Sequence, residues 1–367
     1  MLGLTRNTRK FLIFTICYLL VCIHCNDISA QEYINDGPYI FYRGDKLEVK
    51  WIKDNALRTK ITDTADYKFF KRRFRNKHPY KFTNRNYTDT NYTELYKGIN
   101  KFAAISDIHG QYRTFIKLLR KHKIVDRKLN WTFGNGHLIV LGDVMNRGQE
   151  VTKALWLIYK LEQQATKYGG KVHFLLGNHE LMILKGNQKY LNQKYLKVSK
   201  ILNTEYSDLF TKNSVLGNWI RNKPVMLKLN NFLFVHGGIS KAFIEKKLSI
   251  AETNRLFREK IIALPWQDIL ADSTLEFLSG DKGILWYRSY FIKPLVPELC
   301  VEQTLNLFDV NYIIVGHTSL SNIVSIYNNK VLGIDSSIKL GNYGEILIFK
   351  NNKLFRGNLS GKNIEIK

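Results

Sequence analysis

The stretch Lys101-Phe102-Ala103-Ala104-Ile105-Ser106-Asp107-Ile108-His109-Gly110 decides the fold. Its apolar run predicts a strand buried on both faces, and the polar residues after it place a carboxylate and an imidazole two positions apart where that strand ends. The same grammar repeats outward from it. Helical spacing follows through Phe115–Arg120, then an apolar strand over His137–Leu141, a helix over Val151–Ala165 and a strand over Val172–Leu176. A Tyr- and Lys-rich region, Leu181–Asn213, reads as helical. Beyond it the chain turns to strands at Val225–Leu229, Phe232–Val235, Tyr312–Val315, Ile323–Tyr327, Val331–Ile334 and Glu345–Phe349. Apolar strands with helices between them argue an α/β core.

Each residue group with chemical potential sits at a strand end, where reactive side chains gain a rigid base. Asp107 and His109 offer one oxygen and one nitrogen to a divalent ion such as Mn, Fe or Zn. Gly142-Asp143-Val144-Met145-Asn146-Arg147-Gly148 adds a carboxylate able to bridge two ions, and a guanidinium able to clamp phosphate. In Gly177-Asn178-His179-Glu180 an amide oxygen can ligate metal while the adjacent histidine faces substrate. His236, before Gly237-Gly238, and His317, after Gly316, close the set. Taken singly, each has an ordinary explanation: Asp-x-His arises by chance, and a lone strand-end histidine is commonly a hydrogen-bonded structural residue. Together Asp107, His109, Asp143, Asn178, His236 and His317 supply the oxygens and nitrogens that two adjacent ions require.

In order and spacing these motifs resemble the calcineurin-like metallophosphoesterases, and the Gly-Asn-His-Glu and His-Gly-Gly elements resemble the phosphoprotein phosphatase branch. Leu285-Trp286-Tyr287-Arg288 and Val315-Gly316-His317-Thr318-Ser319-Leu320 are most similar to the Shewanella-like, bacterial-type phosphatases. The resemblance covers about Lys101 to Phe349. It implies two mixed β-sheets packed as a sandwich flanked by helices, with a dinuclear metal site at the strand ends. It implies one metal on Asp107, His109 and Asp143, with Asp143 bridging to a second on Asn178, His236 and His317. It further implies His179 as general acid, Arg147 and Arg288 as phosphate clamps, and a metal-activated hydroxide attacking a phosphoester, with Mn the metal expected to work in vitro. Arg288 reads otherwise as a surface ion-pair residue, Asp335 as a supporting carboxylate and His173 as filler.

One departure matters. Asn146 stands where the animal-type phosphatases have an Asp that orients the acid histidine. Its amide oxygen can still accept a hydrogen bond but carries no charge to stabilise an imidazolium, so activity is expected to be reduced or to depend differently on pH. The expected substrate is a phosphorylated protein, leaning to phosphotyrosine, or a small phosphoester. The competing readings are a nucleotide or dinucleoside polyphosphate hydrolase on the same site, and a non-catalytic polyanion-binding protein.

The 367 residues and 45% hydrophobic content suffice for a large core without disulfides. Three of four cysteines, Cys17, Cys22 and Cys25, lie in the N-terminal stretch, leaving Cys300 alone in the body. Arg6, Arg9 and Lys10, the apolar run from Phe11 to about Ile23, and Ser29-Ala30 have the three parts of an export signal. Residues 1–30 are therefore expected to be a signal peptide, directing the chain to a periplasm or secretory pathway, with membrane tethering as the other reading. Residues 31–100 are expected to form a hairpin and basic linker, 101–350 the catalytic domain and 351–367 a C-terminal tail. The formal charge of +25 attracts anions. Lys68-Phe69-Phe70-Lys71-Arg72-Arg73-Phe74-Arg75 could grip a membrane or polyanion, or be an amphipathic helix packed on the core. No sequence-specific nucleic-acid recognition is expected.

Overall fold

The computed structural model describes residues 33–63 and 94–367. The export signal and the basic-aromatic stretch at 68–75 lie outside the described residues. The strands, in chain order, are β1 (Asp36–Arg43), β2 (Lys46–Lys53), β3 (Ala56–Asp63), β4 (Leu95–Tyr96), β5 (Lys101–Ile105), β6 (His137–Leu141), β7 (Lys171–Leu175), β8 (Met226–Leu229) and β9 (Phe232–Val235). They continue with β10 (Tyr312–Val315), β11 (Val324–Ile326), β12 (Val331–Gly333), β13 (Glu345–Lys350), β14 (Lys353–Asn358) and β15 (Asn363–Glu365).

Two six-stranded mixed sheets result, ordered β15-β14-β13-β5-β6-β7 and β11-β12-β10-β9-β8-β4. Period-two alternation decides what lies between them. Phe102 and Ala104 of β5, Ile139 and Leu141 of β6, and Leu175 of β7 face Leu227, Phe232, Phe234, Ile314 and Leu332 of the other sheet. The alternate residues Ala103, Ile105, Leu138 and Val140 belong to the core on the outer, helix-bearing side. Phe102 is central: its ring stacks on Phe349 at 5.1 Å and meets Phe232 and Phe234 edge-on at 5.0 and 5.5 Å. Truncating such a residue to alanine costs about 3–5 kcal/mol.

Helix α1 (Tyr112–Lys121) buries Phe115, Leu118 and Leu119, and helix α2 (Val151–Ala165) buries Leu155, Ile158 and Leu161. Both match their expected spans closely because their periodicity is unbroken. The region Leu181–Asn213 does not form one helix. It breaks into α3 (Asn178–Leu184) and α4 (Gln193–Leu202) around Gly186 (φ 78°), and α4 starts where the Asn192 side chain accepts from Lys194 N–H.

Two expected boundaries shift. The extension is a three-stranded antiparallel sheet, β1-β2-β3, rather than a hairpin. It is docked on the body: Trp156 Nε1 donates to Pro38 O at 2.9 Å, and Lys194 pairs with Asp36 at 2.8 Å. The segment expected as a tail instead supplies β14 and β15, which extend the sheet from β13. Toward the strand ends away from the motifs, His137 Nδ1 and His173 Nε2 lie 2.8 Å apart, buried against the Tyr96 ring. No helix among the described residues is long and apolar enough to cross a membrane.

Candidate metal centre

Strands β5, β6 and β7 are adjacent and parallel, as are β9 and β10. Parallel neighbours end at the same edge, so the loops after all five converge there. Asp107, His109, Asp143, Asn178, His179, His236 and His317 meet at this edge, and none is more than 5% exposed. The loops hold costly backbone: Asp107, His109, Asp143, Asn146, Arg147 and His317 all have φ between 45° and 68°. Left-handed conformations cost about 1–2 kcal/mol for such residues and persist where the surroundings over-determine them. His109 N–H donates to Asp143 O at 2.8 Å and Gly110 N–H to Val144 O at 2.9 Å, which ties the first loop to the second.

The carboxylates and imidazoles each have one atom held by the protein and one left facing the centre. Asp107 Oδ2 accepts from Ser106 Oγ and from His317 N–H, leaving Oδ1 3.8 Å from His109 Nε2. Asp143 Oδ1 accepts from His179 N–H at 2.9 Å, while Oδ2 lies 3.2 Å from His236 Nε2 and 3.7 Å from His109 Nε2. The Nδ1 atoms of His109 and His236 face the carbonyls of Met145 and Leu141 at 2.9 and 2.7 Å, which orients each ring with Nε2 toward the centre. His317 is reversed, with Nε2 on Trp286 O at 3.1 Å and Nδ1 left over. The Asn178 Oδ1 atom reaches to 3.1 Å from His236 Nε2.

Electrostatics agree with a cationic occupant. Burial, reinforced by the charges of Asp335 and Asp143, pushes the Asp107 carboxyl well above its usual range. Burial likewise pushes His109 down to about 4, toward the neutral form that ligates metal. Burial opposes charging His236, yet the Asp143 carboxylate outweighs it and raises that ring to about 10. The ligand atoms of His109, Asp143 and His179 gather on one side and those of Asp143, His236 and His317 on the other, each group within 4.8 Å, with Asp107 Oδ1 beside His109 and Asn178 Oδ1 beside His236, a donor set that fits divalent ions.

Beside the centre, His179 Nδ1 lies 2.9 Å from Asn146 Nδ2. The amide backs the ring without bringing a charge to it, and Asn146 Oδ1 is buried with no partner among the described residues. Arg147 is exposed and stacks on Tyr190, its Cζ 4.8 Å from the ring centre. Half-buried Arg288 donates to His317 O at 3.0 Å, next to the ligand loop. Asp335 supports from behind, accepting from Ser319 Oγ and Ser337 N–H.

Three contributors escape a motif reading. Glu180 is fully buried, and its carboxylate collects the N–H groups of Asp143, Val144, Met145 and Gly177 at 2.8–3.0 Å. It folds the second motif loop onto the third. Its place in Gly-Asn-His-Glu was the available signal. Gly177 is equally constrained, since a Cβ there would lie 2.2 Å from Asp143 Oδ1. Tyr190 carries no motif signal at all, coming from the region read only as a helical insert.

Residues 100–319 match the sequence profile of the calcineurin-like phosphoesterases. The chain is 32% identical over 287 residues to Shewanella-like protein phosphatase 1 of Plasmodium berghei, covering 73% of this chain and 78% of that protein. It superposes on the crystal structure of a cold-active protein-tyrosine phosphatase from a psychrophilic Shewanella species with TM-score 0.82 and 36% identity, covering 91% of this chain and 100% of the other. A shorter likeness, 31% over 139 residues, links it to a symmetrical bis(5'-nucleosyl)-tetraphosphatase of Wigglesworthia glossinidia brevipalpis, covering 37% of this chain and 43% of that enzyme.

Proposed function

Because the chain belongs to the calcineurin-like phosphoesterases, as a metal-dependent protein phosphatase hydrolysing phosphoric esters, we propose that it acts by preference on phosphotyrosine. The observation that carries this reading is the Asn146–His179 pair. An uncharged amide behind the ring cannot stabilise an imidazolium, so the ring protonates a leaving oxygen weakly. A tyrosyl phenolate, the base of a group with pKa about 10, tolerates weak protonation far better than a seryl alkoxide. The similar Shewanella protein is itself a protein-tyrosine phosphatase.

When bound, the two ions supply Lewis acidity for the phosphoryl oxygens and activate water as nucleophile. Asp107, His109 and Asp143 would hold one and Asn178, His236 and His317 the other; we propose Mn²⁺ as the ion that supports turnover in vitro. The Arg147 guanidinium, whose φ of 65° belongs to a loop tied down by Glu180, offers paired donors to the phosphate. Arg288, oriented by the His317 carbonyl, offers a second set from the opposite loop. His179, backed by the uncharged Asn146 amide, would hydrogen-bond the leaving oxygen and, as imidazolium, give it a proton. The dinucleoside polyphosphate alternative rests on the shorter likeness alone. We further propose that residues 1–30 act as an export signal to a periplasm or secretory route, and that the formal charge of +25 favours anionic partners such as a membrane or polyanion.

The test uses the Mn²⁺-loaded protein and two phosphopeptides of one sequence differing only in phosphotyrosine or phosphoserine. The expected kcat/KM ratio is about ten or more in favour of phosphotyrosine. Equal rates, or a phosphoserine preference, would overturn the reading, and faster cleavage of a dinucleoside tetraphosphate would support the alternative.

A further inference from the structure

After α3 the chain runs through Gly186–Asn192 and back over the cleft, and Tyr190 is the residue it delivers there. The Tyr190 ring centre is 5.1 Å from that of His179, tilted by 42°, and the ring also contacts the Arg147 guanidinium at 4.8 Å and Lys189 Nζ at 5.4 Å. It therefore packs at once against the group that meets the leaving oxygen and against one that meets the phosphate. The backbone fixes this placement. Tyr190 O accepts from Arg147 N–H at 2.9 Å, and Asn192 Nδ2 donates to Arg147 O at 2.7 Å. Asn192 also caps α4, whose Lys194 is anchored on Asp36 of the N-terminal sheet and on Gln149 O. The segment is thus a strap laid across the left-handed pair Asn146 and Arg147.

Geometry then dictates what this ring meets during the reaction. A leaving oxygen within hydrogen-bond reach of His179 Nε2, about 3 Å, carries its substituent into the space beside a ring only 5.1 Å from His179. Aromatic rings pack favourably with centres about 4.5–7 Å apart. A phenyl leaving group reaches that range, whereas a seryl or threonyl methylene has no ring to offer. The Tyr190 hydroxyl makes no hydrogen bond among the described residues, so the ring face is the part that matters.

We propose that Tyr190 is a specificity-determining residue, whose ring, strapped between His179 and Arg147, selects aryl over alkyl phosphoesters by packing against the leaving group. The inference deepens the phosphotyrosine reading and rests on it for the identity of the reaction, while naming a separate cause. In the full chain with Mn²⁺, Tyr190→Ala and Tyr190→Phe are compared with the parent on phenyl phosphate and cyclohexyl phosphate, resolving kcat and KM, with thermal midpoints recorded. Tyr190→Ala should lower kcat/KM on the aryl ester about ten-fold, mainly through KM, and shift the alkyl ester by less than about two-fold. Tyr190→Phe should keep both within about two-fold of the parent.

Equal losses on the two esters would mean that the strap only maintains Arg147, and no loss on either would mean that the ring does not touch substrate; both results overturn the proposal. The parent's own phosphotyrosine-to-phosphoserine ratio is decided separately. A parent that favours phosphoserine, with Tyr190→Ala still selectively impaired on the aryl ester, would sink the phosphotyrosine reading while supporting Tyr190.

Discussion

The floor of the cleft and its roof are held by different forces. On the floor, Asp107, Asp143, His109, His236 and His317 sit at the ends of sheet strands, nearly inaccessible, each steered by bonds to backbone groups. In the roof, Arg147 and Tyr190 stay partly exposed and are positioned by ring stacking, an Asn cap and a Lys194–Asp36 pair to a separate small sheet. Reaction chemistry is placed on loops bonded to one another at the sheet ends, and selection on a segment outside the sheets. Substitutions in the two regions should therefore fail in different ways.

Glu180→Gln attacks the floor without touching a ligand. Four backbone donors converge on this carboxylate, and a neutral amide can accept from only some of them, so the Asp143 loop loses its anchor. Metal affinity and kcat are expected to drop about 10- to 100-fold together, with the aryl-to-alkyl ratio unchanged. Titration of Mn²⁺ alongside turnover would measure both, and a changed ratio with intact affinity would erase the distinction drawn here.

Asn146→Asp works at the seam. A carboxylate 2.9 Å from His179 Nδ1 would hold a proton on that nitrogen and support an imidazolium. Turnover of phosphoserine peptides should rise about ten-fold, a fraction of the 10²–10⁴ that full acid catalysis can give, while phosphotyrosine turnover changes little. A uniform loss on both peptides would show that the amide serves some purpose besides backing the ring.

The smallest effect belongs to neither region. Burial, with the Lys171 charge, holds His137 down to about 4, and burial next to His137 holds His173 well below its usual range. Unfolded, both rings titrate near 6.5. Their contribution to stability is thus full above about pH 6.5 and lost as pH falls toward 4, because only the unfolded chain takes up protons in that window. The melting midpoint should fall across this range in the parent and fall less in His173→Phe, with kcat at pH 7 unaltered in both. An equal slope in both proteins would contradict it.

The same contrast explains what the sequence disclosed. The floor was legible because each ligand follows an unbroken apolar strand such as Phe102–Ile105 or Phe232–Val235, and because Asp107-x-His109, Asp143, Asn178-His179, His236 and His317 together make a metal-ligand set that none of them makes singly. The sandwich itself followed from family resemblance. The roof was not legible. Leu181–Asn213 shows helical composition, but Gly186 and the Asn192 cap split it, and whether Tyr190 turns inward depends on backbone bonds to Arg147 some forty positions earlier. The last strands were missed for a related reason: β14 and β15 are half-exposed and lack an apolar run, so the pairing of β14 with β13 and of β15 with β14 outweighs any pattern of their own.

The central claim is that Asp143 joins two ions in one catalytic floor. Its most direct test is metal content and turnover measured together, on the parent and on Asp143→Asn, each stripped by chelator and reloaded with Mn²⁺. The parent should bind two ions per chain and hydrolyse phenyl phosphate, and Asp143→Asn should bind fewer and lose about a thousand-fold or more in kcat. Full turnover by the variant, or turnover by the parent without bound metal, would contradict the account.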